Sequence, residues 1–316
     1  MALVLPNETD YAQDNIVMIL SGLPGIGKTT CACSAPGVIV IDVDNGMKRV
    51  RPEHRKPSIV VNTYDELLND LRNPVVRNAK TLVIDTGGAL IELMKEWAAD
   101  QPGGQKKGGG LSLQGFGIVK SEFNRLFREV RKYHNCVLLF HTLKERDRDG
   151  SAVYDIQCEG ATKQTVWQPV DLGCYMQFIG NDRYLCFKPT QEYSAKKCYG
   201  VSDMYKVPEL SDGEPNNLLE NLFAEVKANL AAEAESGKIK KAEYESVMQQ
   251  GRDIINSVSN VKTATAASKQ INELPESLTS RDELRCAFKM KLDELGIRWN
   301  KEAGKYEPVS DDSKSA

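Results

Sequence analysis

The sequence lacks the features that mark membrane and secreted proteins. Among its 316 residues no apolar run approaches the roughly 18 residues that a membrane helix requires. The longest apolar runs, at 16–20 and 136–140, have the length of strands. The first fifteen residues include three acids and no basic residue, so we expect no secretory signal there. These absences predict a cytoplasmic protein without membrane contacts.

Histidine is scarce, cysteine is unclustered and neither sign of charge dominates. The 3 histidines and 8 cysteines include no Cys-x-x-Cys pair, so a structural zinc site is not expected. Reduced thiols fit the cysteine spacing better than a disulfide framework. The 41 basic and 44 acidic residues leave a formal charge of −3. Any contact with nucleic acid must therefore come from a local basic patch.

Short apolar segments alternate with helical patterns from residue 15 to about 203. The segments are β-branched and bounded by turn residues, which is typical of buried strands. Such alternation predicts an α/β fold with a mostly parallel central sheet flanked by helices. The predicted strands are 16–20, 38–42, 58–61, 81–84, 136–140, 152–158, 172–179 and 183–188. The predicted helices are 64–72, 89–98 and 118–133.

Beyond residue 208 the pattern becomes helical. An apolar stripe at helical spacing begins at Leu218, Ser280 and Glu283 have the spacing of a capping box, and Gly296 is expected to end a helix. The small, polar segment 261–267 is interpreted as a linker. Four parts are predicted: an N-terminal arm at 1–14, a core at 15–208, a helical C-terminal region at 209–300 and a partly disordered tail at 301–316.

One segment carries a specific phosphate-binding pattern. Residues 22–29 match G-x-x-x-x-G-K-[ST] and lie between a predicted strand and a helix start. The glycines let backbone N–H groups point at phosphate oxygens, and the helix N-terminus adds partial positive charge. Lys28 is expected to reach the β- and γ-phosphates of ATP, and Thr29 to hold Mg²⁺. The candidate nucleotide-binding residues are Gly22, Leu23, Pro24, Gly25, Ile26, Gly27, Lys28, Thr29 and Thr30.

An acid at the end of a later apolar strand is the expected partner of this loop. Residues 81–85 read Thr-Leu-Val-Ile-Asp. An acid at the carboxyl end of a buried strand is how a Walker B aspartate reaches the metal, so Asp85 is predicted to share Mg²⁺ with Thr29. Many P-loop ATPases place Glu directly after this Asp, but here the position is Thr86. Another acid must therefore serve as the catalytic base.

The second predicted strand offers that acid. Strand alternation puts Asp42 and Asp44 on one face, and Asp44 lies past the strand's end, where a γ-phosphate is expected. We predict that Asp44 activates the attacking water. A solvated loop acid before the turn at Asn45-Gly46 is the alternative interpretation.

The order of these parts resembles the RecA-like recombinase core, in which Ile41-Asp42-Val43-Asp44 would match an Ile-Asp-x-Glu context with Asp replacing Glu. The resemblance implies that His141, after strand 136–140, senses the γ-phosphate or positions water. More closely, the chain is similar to phage-encoded Sak-type single-strand annealing proteins. The shared features are a compact core, Gly-x-Pro-Gly-x-Gly-Lys-Thr, a Walker B strand without a following Glu, and a strand ending in His. The similarity covers about residues 15–200.

The resemblance implies an ATPase that binds single-stranded DNA, assembles into a homo-oligomeric ring or filament, and promotes annealing or recombination in the host cell cytoplasm. A single-strand binding protein is a further implied partner. RecA-like cores present two loops to DNA, and the candidates here are a Gly-rich loop at 101–110 and a charged loop at 144–150. Residues 101–150 carry a local charge of +5 from 10 basic and 5 acidic residues. A solvated linker is the alternative interpretation. The candidate DNA-binding residues are Lys106, Lys107, Lys144, Arg146 and Arg148.

The same resemblance implies that lysines after the late strands reach the nucleotide of a neighbouring subunit. The candidates are Lys188, Lys196 and Lys197. Near the C-terminus, Arg298, Trp299, Lys301, Lys305 and Tyr306 interleave basic and aromatic residues, which hairpin packing explains at least as well as nucleic-acid contact.

Two other functions remain compatible with the sequence. One is a replication motor or helicase loader. The other is a scaffold that ATP locks into an assembly with little turnover, because Asp44 is one methylene shorter than Glu.

Overall fold

A mostly parallel sheet organises residues 12–230, which form one of two compact units. The computed structural model describes residues 11–146, 152–158, 162–211 and 213–309. Within these ranges the strands of the sheet are β1 (Val17–Gly22), β2 (Val38–Asp42), β3 (Ser58–Val60), β4 (Thr81–Asp85), β5 (Asn135–Arg146), β6 (Ala152–Ile156), β7 (Leu172–Ile179), β8 (Asp182–Cys186) and β9 (Met204–Lys206). Their order is β3-β2-β4-β5-β1-β7-β8-β9, with β6 paired to β5. All pairings from β3 to β7 along this order are parallel, whereas β6, β8 and β9 pair antiparallel.

Both faces of the sheet are buried, because alternate side chains of its central strands enter two different cores. In β1, Val17 and Ile19 join one core, and Met18 and Leu20 join the other. The described helices of this unit are α1 (Lys28–Ala32), α2 (Tyr64–Asp70), α3 (Pro74–Arg77), α4 (Gly87–Ala99), α5 (Leu113–Arg131), α6 (Thr162–Val166) and the first part of α7 (Leu218–Asn256). Side chains of α2 to α6 line the first core, and those of α1 and α7 line the second.

Parallel pairing brings the carboxyl ends of four strands to one edge of the sheet. Gly22 of β1 pairs with His141 of β5, and Asp42 of β2 pairs with Asp85 of β4. The Thr86 hydroxyl accepts the Ala89 N–H at 3.2 Å, so α4 begins directly after Asp85. Residues that are far apart in sequence therefore meet at this edge.

The second compact unit, from Ala231 onward, has its own core. The rest of α7 supplies Val247, Met248 and Ile255 to that core. The remaining elements are α8 (Val261–Glu273), α9 (Ser280–Glu294), β10 (Ile297–Asn300) and β11 (Lys305–Pro308). The strands β10 and β11 form an antiparallel hairpin.

The predicted fold class is confirmed: a mostly parallel central sheet lies between helices, and a helical region follows it. The predicted domain limits stay predictions. The two compact units separate between Leu230 and Ala231, inside α7, because the first turns of that helix bury Leu219, Leu222 and Phe223 in the core of the sheet unit.

Three local expectations were wrong. The strand predicted at 136–140 continues to Arg146, because residues 142–146 pair with β6, so 144–146 are strand and not loop. The segment interpreted as a linker starts α8, where Asn260 and Thr263 form a capping box. At α9 the expected Ser280–Glu283 box is absent: Thr279 is the N-cap, and Glu283 accepts its hydroxyl and that of Tyr244.

Gly296 does follow the end of α9, with a positive φ of 64° that suits glycine. None of the eight cysteines, all of which lie within the described residues, forms a disulfide. Among the described residues, no helix is both long enough and apolar enough to cross a membrane.

Candidate functional site

The loop between β1 and α1 curls in the way its glycines predict. Gly25 and Gly27 have φ values of 77° and 105°, which residues with a side chain rarely adopt. A Cβ at Gly27 would also lie 2.7 Å from a guanidinium nitrogen of Arg183. Leu23, Pro24 and Gly25 are exposed on the outside of the loop, whereas Ile26 and Lys28 are buried. The loop is thus a cradle whose lysine points inward.

Lys28 is held by its own loop and by one histidine. Its Nζ donates to the carbonyl oxygens of Gly22 and Leu23, both at 2.9 Å, and lies 3.1 Å from His141 Nδ1. Burial lowers the pKa of Lys28 to about 8, and the charges of Asp85 and Asp44 oppose that shift. The positive charge of the ammonium is therefore incompletely neutralised. This favours replacement of the Gly22 and Leu23 carbonyl oxygens by an anion.

Thr29 and Asp85 meet as the sequence predicts. The Thr29 hydroxyl donates to Asp85 Oδ2 at 2.7 Å, and Asp85 is only 3 % exposed. Burial raises the pKa of Asp85 to about 6, and the nearby Asp44 and Asp42 add to the rise while the Thr29 hydrogen bond opposes it. A carboxylate in this state is stabilised by a nearby cation.

Asp42 holds the turn that presents Asp44. Its two carboxylate oxygens accept the N–H groups of Gly46 at 2.7 Å and Met47 at 3.1 Å. The N–H groups of Val43 and Asp44 donate to the Asp85 carbonyl at 2.8 and 3.2 Å. The ends of β2 and β4 are thereby tied together, and Asp44 is fixed beside Asp85.

His141 lies between Lys28 and Asp44. Its Nδ1 faces the Lys28 ammonium, and its Nε2 lies 3.9 Å from Asp44 Oδ2. Burial, followed by the charge of Lys28, lowers the pKa of His141. The contacts therefore assign the neutral tautomer, in which Nδ1 accepts from Lys28 and Nε2–H points towards Asp44. This chain of contacts connects Lys28, the candidate phosphate-binding residue, to the candidate base.

The acids at this edge fit a divalent cation. Carboxylate oxygens of Asp42, Asp44 and Asp85 lie within 4.8 Å of one another. Carboxylate and hydroxyl oxygens are ligands that Mg²⁺ accepts, and the raised pKa of Asp85 shows that its charge is incompletely compensated. Asp42 already binds two N–H groups, so Thr29 and Asp85 remain the candidate ligands, with Asp44 at their side.

Two arginines at the site were not predicted. Arg183 of β8 donates to the Ile26 carbonyl at 3.4 Å, although 157 positions separate them. Arg49 lies 3.4 Å from Asp44. No local motif marks either residue, because strand pairing and the turn after β2 bring them to the loop. A cleft of about 140 Å³ is lined by Gly25, Gly27, Lys28, Thr29, Thr30, Gly46, Arg49, Val50, Asp85 and His141.

The candidate DNA-binding residues lie in two different settings. Lys106 and Lys107 are exposed in the turns between α4 and α5. Lys144 is exposed on the β5–β6 hairpin, three positions after His141 on the same strand. The backbone of Arg146 ends β5, and Arg148 lies outside the described residues.

The lysines predicted to act across a subunit boundary have partners within the chain. Lys188 and Lys197 both approach Asp203, and Lys196 Nζ donates to the Val170 carbonyl. Val170 precedes β7, so Lys196 points towards the end of that strand opposite to the phosphate loop. The structure therefore brings none of the three to the cleft of its own chain.

Two comparisons with known proteins found similarities to this chain. The model of a family described as an AAA domain matches residues 14–199, more than half of the chain. Among solved structures, the chain is similar to the flagellar accessory protein FlaH from Methanocaldococcus jannaschii, with 11 % identity and a TM-score of 0.29. That similarity covers 54 % of this chain and 76 % of FlaH. No curated protein matches the sequence.

Proposed function

The chain belongs to the AAA-domain family, and from that premise we propose that it hydrolyses ATP with Mg²⁺ and couples turnover to single-stranded DNA. The observation that carries the proposal is the contact chain from Lys28 through His141 to Asp44, beside the Thr29–Asp85 pair. It supports the proposal because a buried cation and the two candidate metal ligands line one cleft, and the acid proposed as the base lies next to that cleft, near Asp85 and His141.

In the proposed reaction, Lys28 exchanges the carbonyl oxygens of Gly22 and Leu23 for phosphate oxygens of ATP. Asp44 accepts a proton from water, the water oxygen attacks the γ-phosphorus, and the bond from that phosphorus to ADP breaks. The products are ADP and inorganic phosphate. His141 orients the water and responds to the γ-phosphate. Mg²⁺ held by Thr29 and Asp85 would neutralise phosphate charge.

Coupling to DNA is supported by the continuity of β5. The strand passes through His141 and extends into the hairpin that carries Lys144. Lys106 and Lys107 add exposed positive charge. Contacts of lysine with phosphates give binding that is independent of base sequence and weakens with salt. We propose that these lysines bind the backbone of single-stranded DNA during annealing or recombination, as the similarity to phage annealing proteins implies.

A homo-oligomer is the proposed assembly. Two large apolar side chains, Phe178 and Ile179, are 59 % and 44 % exposed at the β7–β8 turn. The same hairpin carries Arg183, which contacts the phosphate loop. Burial of this turn by a second copy would place a subunit interface beside the nucleotide. The lysines at 188, 196 and 197 stay candidates for action on a neighbouring subunit.

Turnover assays with and without single-stranded DNA test the proposal. We expect DNA to accelerate ATP hydrolysis, and Asp44→Asn to reduce turnover about a hundredfold or more while ATP affinity changes little, because general-base catalysis contributes about 10²–10⁴. Asp65→Asn, at an exposed acid of α2, is the matched control. ATP binding without turnover in the unmodified protein would instead support a nucleotide-gated scaffold. Separation of the strands of duplex DNA would support a replication motor.

The lysines of the proposed DNA surface need a separate measurement. Lys106→Gln combined with Lys107→Gln should weaken binding of oligo-dT and reduce its salt dependence. Each lysine–phosphate contact releases counterions when DNA binds, so fewer counterions are released when a contact is lost. Lys262→Gln, at an exposed lysine of α8, is the control. Salt-independent binding to single strands would contradict the proposed backbone contacts.

A further inference from the structure

The second compact unit contains a groove that the proposed ATP chemistry does not use. It lies between α8, α9 and the β10–β11 hairpin, and its volume is about 510 Å³. That volume falls within the roughly 300–1,000 Å³ typical of small-ligand sites. The lining residues are Ser268, Ile271, Asn272, Arg285, Phe288, Lys289, Leu292, Asp293, Ile297, Arg298, Trp299 and Tyr306.

Packing explains one aromatic residue of the hairpin but not the other. Tyr306 is half-buried, has its ring 6.0 Å from that of Phe288, and donates its hydroxyl hydrogen to Ser268 Oγ at 3.2 Å. Trp299 contacts Tyr306 edge-on at 4.8 Å, yet it remains 50 % exposed. The hairpin is therefore anchored by Tyr306, and the indole of Trp299 keeps a free surface on the rim of the groove.

The cations of the groove are available to a ligand. Arg285 and Lys289 are exposed, and their four-residue spacing puts them on one face of α9. Within residues 213–309, neither has an ion-pair partner. Arg298 is different, because Glu307 pairs with it at 3.1 Å. The one acid in the lining is Asp293, so positive charge exceeds negative charge there.

We propose that this groove binds single-stranded nucleic acid, with one base stacked on Trp299 and the adjoining phosphate contacting Arg285 and Lys289. An apolar floor, an exposed aromatic ring and unpaired cations are what a nucleotide with an unstacked base requires. Ser268 and Asn272 supply hydrogen-bonding groups for base edges. The inference rests on the proposed contact with single-stranded DNA and gives the C-terminal unit a second contact surface for that partner.

An alternative occupant is a peptide that inserts an apolar side chain. The charge pattern favours nucleic acid, because a peptide needs no pair of exposed cations beside the indole. The two occupants differ in one measurable property: only nucleic acid protects Trp299 when oligo-dT is the sole addition.

The test uses the full chain, fluorescent oligo-dT and acrylamide quenching of tryptophan. Trp97 and Trp167 also fluoresce, so the quenching of Trp299 is the part that is lost in Trp299→Leu, and we expect oligo-dT to reduce that part. Trp299→Leu keeps an apolar side chain but removes stacking, and it should weaken binding about tenfold, the scale of one base–aromatic stack. Trp299→Phe retains a ring and should restore most of the affinity. The thermal unfolding transition of each variant, compared with that of the unmodified chain, checks that the hairpin is intact.

The cations are tested in the same way. Arg285→Gln with Lys289→Gln should weaken oligo-dT binding and leave DNA-free ATP turnover unchanged, while Lys262→Gln should change neither. If these variants bind oligo-dT like the unmodified chain, and Trp299 is not protected, the groove is not a nucleic-acid site, although the proposed DNA-coupled ATPase stands. If the unmodified chain binds no oligo-dT at all, the DNA part of the proposed function fails first and the groove proposal falls with it.

Discussion

In the phosphate-loop cleft two charged groups, Lys28 and Asp85, are buried among other groups of the cleft, whereas in the C-terminal groove the charged side chains are exposed to solvent. Lys28 and Asp85 are 5 % and 3 % exposed, and each already has partners within the cleft. Arg285 and Lys289 are exposed on one helix. A ligand of the cleft must therefore replace existing contacts of desolvated charges, while a ligand of the groove replaces water. The first arrangement is suited to selective binding, and the second to weak, salt-dependent binding.

The largest expected effect comes from removing the buried cation. Lys28→Met should abolish detectable ATP binding by calorimetry, because Lys28 supplies the ammonium among the described residues that line the cleft. The nucleotide-free variant should unfold at the same or a higher temperature than the unmodified chain, since burial already penalises the charge of Lys28. ATP binding by this variant at ordinary affinity would contradict the assigned role of the cleft.

A pH series on Asp85 tests the electrostatics of the cleft. The folded pKa of about 6 exceeds the ordinary 3.8, so this group favours the fold below pH 3.8 and loses that contribution as pH rises to about 6. The shift corresponds to about 3 kcal/mol. Asp85→Asn should therefore gain stability relative to the unmodified chain across this window in urea unfolding. A constant difference between pH 4 and 7 would show that burial does not penalise the carboxylate.

Nucleotide affinity should follow the same two groups. Binding of ATP with Mg²⁺ requires ionised Asp85 and charged Lys28, whose pKa values are about 6 and about 8. Apparent affinity should rise as pH increases through 6 and fall above 8. In Asp85→Asn the rise of apparent ATP affinity near pH 6 should be smaller. ATP itself also titrates in this range, but its titration is the same for both proteins, so the difference between them reports Asp85.

A smaller effect is expected at Arg183. Arg183→Gln should weaken ATP binding about tenfold, the scale of one charge-assisted contact. Lys206→Gln removes a cation from the neighbouring strand β9, where it pairs with Asp182 at 2.8 Å, and should leave affinity unchanged. Equal effects of the two variants would mean that Arg183 acts only through the overall charge of this hairpin.

The smallest effect should be that of the groove on stability. Arg285→Gln and Lys289→Gln should each change the free energy of unfolding by less than about 0.5 kcal/mol, as is usual for exposed side chains without partners. Chemical denaturation measures this directly. A larger loss of stability would indicate that these cations support the packing of α9. The charges of the groove would then be structural, like the buried charges of the cleft.

The sequence was sufficient for the centre of the fold and for the motif residues of the cleft. The phosphate loop and Asp85 are each marked by a local pattern, because an apolar strand ends at a glycine-rich loop in one case and at an acid in the other. The contact of Thr29 with Asp85 follows because parallel pairing brings these strand ends to one edge of the sheet. The roles of Asp44 and His141 stay predictions, although the structure places His141 beside Lys28 and Asp44 beside His141.

The remaining features depend on contacts that no local pattern encodes. Arg183 reaches the phosphate loop only because β8 folds back on β7. Residues 144–146 alternate in charge like a loop, yet pairing with β6 makes them strand. The start of α8 is small and polar, but Ala264 and Ala267 are buried in the core of the C-terminal unit, and the capping box of Asn260 and Thr263 begins the helix.

The uninterrupted course of β5 limits how the cleft and the hairpin can influence each other. Its first six residues are buried, and from Leu143 to Glu145 its side chains are exposed. Because pairing with neighbouring strands is continuous from His141 to Lys144, we expect any effect of a bound phosphate on the imidazole to shift Lys144 while its segment stays a paired strand.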